Sequence, residues 1–226
     1  MIDNFDLIKD KLLRFKKPGD FFIVHVIKRA KDVKALGNYH SGDAKDSQRL
    51  IKTWYIDTLK YWDEKIPIIK EVADANNARA YILPTVRNRL VVNRVLLKKL
   101  VDVIDDTNLR YDHLIRSATC GTHTSERPYW IVDVDLDLIP NNIANTREGK
   151  LEYVRKIFVE NALTDIKPLV AETKRSPDEI FVVPTLNGAH IVTPPFNRTK
   201  WRDGLYGELK TDPMTLIYFN PPEVNR

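Results

Sequence analysis

The chain has 226 residues, 43% of them hydrophobic and 30% charged, which suits one sizeable domain or two small lobes sharing an interface. Its formal charge of +5 favours a polyanionic partner without specifying one, and a single cysteine excludes a disulfide framework or a cysteine-based zinc site. No apolar stretch is long enough to span a bilayer, and the N-terminus, charged from Asp3 onward, does not read as a secretory signal; no membrane association and a cytoplasmic location are therefore expected.

In "NFDLIKDKLLRF", residues 4–15, Phe5, Ile8 and Leu12 stand at helical spacing, and "KKPGD" stops that helix. "FFIVHVIK", 21–28, reads as a buried strand with His25 as a hydrogen-bonded core residue. The polar segment after it reads as a surface loop. From Arg49 to Ala75 the pattern predicts helix, with Leu50, Trp54, Thr58, Leu59, Trp62 and Ile69 on one side and Pro67 expected to kink or split it. "ARAYILPTV", 78–86, is a second strand with Arg79 and Tyr81 facing the same way. "VVNRVLLKKLVDVIDD", 91–106, is an amphipathic helix. "HLIRSATCGTHTSERP", 113–128, is expected to begin as a strand and to end in a polar loop holding Cys120 and His123. After Pro140 comes a loop and then a helix built on Leu151, Val154, Phe158 and Leu163. "EIFVVPTLNGAHIVTPPF", 179–196, holds two strand-like runs joined through Asn-Gly, a hairpin signal, and Thr215–Phe219 is a last strand. Helices mixed with hairpin-linked strands predict an α+β fold, and no linker separates independent domains within 1–226.

"YWIVDVDLDLIP", 129–140, sets three aspartates two apart inside an apolar run. Alternation along a strand points Trp130, Val132, Val134, Leu136 and Leu138 into a core, and Ile131, Asp133, Asp135, Asp137 and Ile139 the other way. Neighbouring carboxylates on that face start roughly 6 to 7 Å apart at Cα, so their side chains can lean onto one or two hard cations. Like charges held together without a cation repel, which points to a metal ion. An acidic strand face stabilised by ion pairs with Arg or Lys has the same pattern. His190 directly follows Gly188 and Ala189, whose small size lets an imidazole approach a phosphate; a half-buried hairpin histidine is the other reading. A third acidic group is available in Glu208 or Asp212, although Asp212-Pro213 is also an ordinary turn dipeptide.

"WIVDVD" at 130–135, "GAH" at 188–190 and an acidic residue near a later strand together resemble the archaeo-eukaryotic primase superfamily, which includes primase-polymerases of phages and mobile elements. The likeness covers mainly residues 120–220, and its third motif has no clean match. It implies a two-lobed core, with an N-terminal α/β lobe over 1–110 and an RRM-like mixed or antiparallel sheet flanked by helices over 111–226. It implies metal-dependent nucleotidyl transfer on a nucleic-acid template. Asp133 and Asp135 would hold Mg²⁺ or Mn²⁺, with Glu208 or Asp212 as a further ligand, and His190 would contact the phosphates of a nucleoside triphosphate. Arg79, Arg116, Arg127 and Lys210 are candidate cations around that triphosphate. Lys28, Arg29, Lys31, Arg87, Arg89 and Arg94 suit a groove for a single-stranded template, and Trp54, Tyr55, Tyr61 and Trp62 read as core. No helicase module is attached, so a helicase partner would act in trans. Two other functions fit parts of the pattern. One is an Asp-x-Asp metal-dependent glycosyltransferase; the other is a non-catalytic nucleic-acid or partner-binding protein with a degenerate primase-like fold.

Overall fold

The computed structural model describes residues 1–15, 17–29, 48–105, 111–120, 128–138, 146–202, 205–211 and 213–221. The fold is mixed α+β with two antiparallel sheets. The first contains β1 (Ile2–Asp3), β2 (Asp20–Arg29), β3 (Gln48–Ile56), β4 (Arg79–Asn88) and β9 (Thr215–Phe219), in the order β1-β9-β4-β2-β3. β2 reads as a nearly continuous apolar run because both its faces are covered. Phe22, Val24 and Val26 point towards α1 (Phe5–Lys11) and α2 (Leu59–Ala75), while Phe21 and Ile23 lie under α3 (Arg89–Asp102) and α4 (Tyr111–Cys120).

Two sequence expectations need correction here. Residues 49–75 are not one helix: β3 takes the first part, and α2 begins after its Thr58 N-cap. "LIKTWYI" also satisfies a strand's alternation, and pairing with β2 decides the outcome, placing Trp54 opposite Val24 and bonding His25 Nδ1 to Thr53 Oγ1 at 2.8 Å. Pro67 does not break α2, because Trp62, Ile69 and Ala73 anchor turns on both sides of it and offset the one lost backbone hydrogen bond. Likewise, 111–120 is a helix rather than the start of a strand; Ala118 is buried among Phe21, Ile23, Leu83 and Val92.

The second sheet contains β5 (Trp130–Asp135), β6 (Phe181–Pro184), β7 (Gly188–Thr193) and β8 (Glu208–Lys210), ordered β6-β7-β5-β8. Between β5 and β6 the chain passes through α5 (Arg147–Tyr153), a π-helical turn at Val154–Phe158 and α6 (Val159–Ala171). β7 lies between β5 and β6 and is antiparallel to both, so β5, the helices and β6 form a split βαβ unit. One face of this sheet, with Val132, Val134, Ala189, Ile191 and Leu209, packs on Ala162, Ile166 and Val170 of α6. On the other face, Ile131, Phe181, Val183 and Val192 share a core with Phe22, Val24, Trp62 and Ile217 of the first sheet and its helices. No helix among the described residues is long and apolar enough to cross a membrane.

Candidate functional site

β5 carries its acidic residues on the face away from α6. Asp133 lies directly opposite His190 of β7 and Glu208 of β8, and Asp135 lies opposite Gly188. Directly opposed residues share a face, so the strand order alone brings Glu208, Asp133 and His190 into one row. Lys210, two residues along β8, joins the same face. Two glycines make the row compact. A Cβ on Gly188 would sit 1.9 Å from the Val134 carbonyl oxygen, and one on Gly207 would sit 2.7 Å from that of Asp133. The hairpin expected at Asn-Gly forms, closed by Thr185 N–H donating to the Gly188 carbonyl at 3.0 Å. Gly188 is required there for close packing against β5, since neither Asn187 nor Gly188 has a positive φ.

Polar contacts run through this row. Lys210 Nζ lies 2.5 Å from Asp133 Oδ2 and 3.4 Å from Glu208 Oε2. His190 Nε2 is 3.4 Å from Asp133 Oδ1, and His190 Nδ1 is 3.0 Å from the Thr215 hydroxyl. Burial alone would raise the Asp133 pKa, but hydrogen bonds and charge from His190 and Lys210 outweigh it and hold the carboxyl well below the usual carboxylate range. Burial likewise works against the charge on Lys210, and Asp133 and Glu208 reverse that, raising its pKa. Thr215 is fully buried on β9 of the first sheet. Its hydroxyl is therefore closed to a substrate and acts to fix the imidazole ring. Nothing in the sequence flagged Thr215, because its partner is 25 residues away and in the other sheet.

The remaining expected site residues disperse. Asp135 Oδ1 accepts from the Leu136 backbone N–H at 2.7 Å, and Asp137 falls in a 3₁₀ turn after the strand rather than in it. The Arg79 guanidinium stacks 4.5 Å from the Phe219 ring, on the outer side of the first sheet. Arg87, expected on a template groove, is only 1% exposed, and its Nε donates to the Thr119 carbonyl at 3.0 Å; it is a core residue. Arg89 pairs with Asp57 at 2.6 Å, Arg94 is exposed on α3, and Lys28 and Arg29 end β2 in the first sheet. These four do not gather around Asp133. Lys31, Arg127 and Asp212 lie outside the described residues, as does the side chain of Arg116 on α4.

Asp133, Asp135 and Glu208 offer the hard oxygen donors that Mg²⁺ or Mn²⁺ takes, and Mg²⁺ commonly needs only one or two carboxylates beside substrate phosphates. Among the described residues, however, no group of three His, Cys, Asp or Glu side chains is disposed to hold a metal ion. The donor chemistry fits a cation completed by substrate oxygens rather than an all-protein cage. Comparison with known protein families, curated proteins and solved structures finds no match to this chain.

Proposed function

We propose that the chain is a metal-dependent nucleotidyltransferase of the primase-polymerase type. The observation that carries this reading is the cross-strand opposition of Asp133 and His190 on the face of a split βαβ sheet that points away from α6. Counted from β5, that sheet has the order fourth, first, third, second, which is the ferredoxin-like arrangement expected of an RRM-like core. In this reading Asp133 and Asp135 are the carboxylates that would hold Mg²⁺ or Mn²⁺, with Glu208, opposite Asp133 on β8, as a further donor. The metal supplies Lewis-acid charge neutralisation at a triphosphate. His190, oriented by Thr215, donates Nε2–H to a phosphate oxygen, and Lys210 turns from Asp133 to the same phosphates. Single-stranded nucleic acid is the template in this reading.

The test is incorporation of labelled nucleotides on a single-stranded template with Mn²⁺ or Mg²⁺. Asp133→Asn and His190→Ala should each lower incorporation at least about 100-fold. Undiminished incorporation by the double variant Asp133→Asn, Asp135→Asn would refute the assignment. One observation favours a second reading: the Lys210 ammonium lies 2.5 Å from Asp133 and neutralises its charge. That suits a non-catalytic nucleic-acid-binding protein with a degenerate site. Salt-sensitive binding of single-stranded DNA without calorimetric binding of Mn²⁺ would select that reading.

A further inference from the structure

Helix α3 carries apolar side chains on two sides. On one side Val92, Val95 and Leu96 lie over Phe21, Ile23 and Leu83 of the first sheet. On the other, Leu90 (64% exposed), Leu97 (62%) and Val101 (68%) continue into Ile104 (71%) in the turn after the helix. Leu90, Leu97, Val101 and Ile104 stand seven, four and three residues apart, which sets them along one stripe of the helix surface. Such a stripe is the kind of seam along which two helices pack. A single exposed leucine needs no explanation, but a row of them does. The adjoining α4 also exposes Tyr111 and Ile115.

We propose that this seam is a homodimer interface, in which two copies of α3 pack antiparallel about a two-fold axis lying between Leu97 and Val101. Charge selects the occupant and its direction. Exposed Arg94 and Lys98 flank the first half of the stripe, and exposed Asp102 and Asp105 flank the second half. Antiparallel pairing about that axis brings Leu97 against Val101 of the second copy. It also sets Arg94 and Lys98 beside the second copy's Asp105 and Asp102, twice over. Parallel pairing would set each charge beside its like. A two-fold contact of this kind is self-complementary and closes on itself. It lies on the outer side of the first sheet, away from Asp133 and His190, so it leaves that site open. One helix and part of another form a small interface, so the dissociation constant is expected on the order of 10 µM.

Sedimentation velocity of the full chain across a concentration series tests this. The wild type should convert from monomer to dimer as concentration rises. Leu97→Asp with Val101→Asp should be monomeric with an unchanged far-UV circular dichroism spectrum, both sites being exposed. Arg94→Glu with Lys98→Glu should weaken the dimer at least about tenfold, and adding Asp102→Lys and Asp105→Lys in the same chain should restore it to within about threefold. A wild type that stays monomeric up to about 100 µM would overturn the proposal. So would a dimer that survives the aspartate pair, or a charge-reversed quadruple variant that fails to recover.

Discussion

Asp133 is held between two partners on one side chain, with the Lys210 ammonium at one oxygen and the His190 imidazole at the other. The two contacts differ in kind. Lys210 is flexible and partly exposed, whereas His190 is buried more deeply and tied to Thr215. Lys210 is thus the partner free to leave, and His190 the one that keeps its place. Replacing Lys210 by methionine should raise the Asp133 pKa towards the ordinary 3.8, read by carbon-detected NMR titration of the carboxyl. The cost in stability at neutral pH should be about 1 kcal/mol, because the pair is only partly buried. The pH dependence follows in sign. A carboxyl whose folded pKa is depressed stabilises the fold above its unfolded value and loses that contribution as pH falls through the folded value. The wild type should therefore lose stability on acidification below about pH 4, and Lys210→Met should lose less, having less to lose. Equal acid sensitivity in both proteins would show that Lys210 does not govern Asp133.

At the scale of elements, Gly188 and Gly207 let β7 and β8 close on β5 from both sides. Gly188→Ala meets backbone rather than a flexible side chain, so β7 must draw back and carry His190 away from Asp133. We expect a loss of about 3 kcal/mol in urea unfolding, near the upper end for overpacking, together with loss of the Asp133 pKa depression. Much of this region was legible in the sequence. The aspartate strand, the hairpin and the last strand each carry a local pattern, and the alternation that put Val132 and Val134 on one face and Asp133 on the other holds in the structure. β3 was not legible, because Leu50 and Trp54 fit helical spacing as well as strand alternation and only the partner strand β2 decides between them. α4 was hidden for a similar reason: the burial of Ala118 depends on α3 and the first sheet, neither of which its own residues reveal. Asp137 was misplaced by extending a two-residue period past the point where the strand ends. The Asp133–Lys210 pairing was open to inference only as one candidate cation among several, since register across β5 and β8 is a tertiary fact.

At the scale of the molecule, the two sheets do not divide along the chain. β1 and β9, from opposite ends of the sequence, pair with each other, and β9 also pairs with β4. Asn4 Nδ2 donates to the carbonyls of both Leu216 and Pro184, tying the first turn of the chain to both sheets. The shared core contains Phe22, Val24 and Trp62 on one side and Ile131, Phe181 and Val192 on the other. A cut at residue 110 would leave β4 without β9 and would expose the apolar face that the second sheet covers. Burying such a face supplies most of the free energy that offsets chain entropy, and a fragment lacking it has no substitute. Residues 1–110 expressed alone should therefore lack a cooperative thermal transition, and so should 111–226. The intact chain should unfold in one step, with tryptophan fluorescence and far-UV circular dichroism tracing the same curve. A fragment 1–110 that melts cooperatively would show that the first sheet closes without β9.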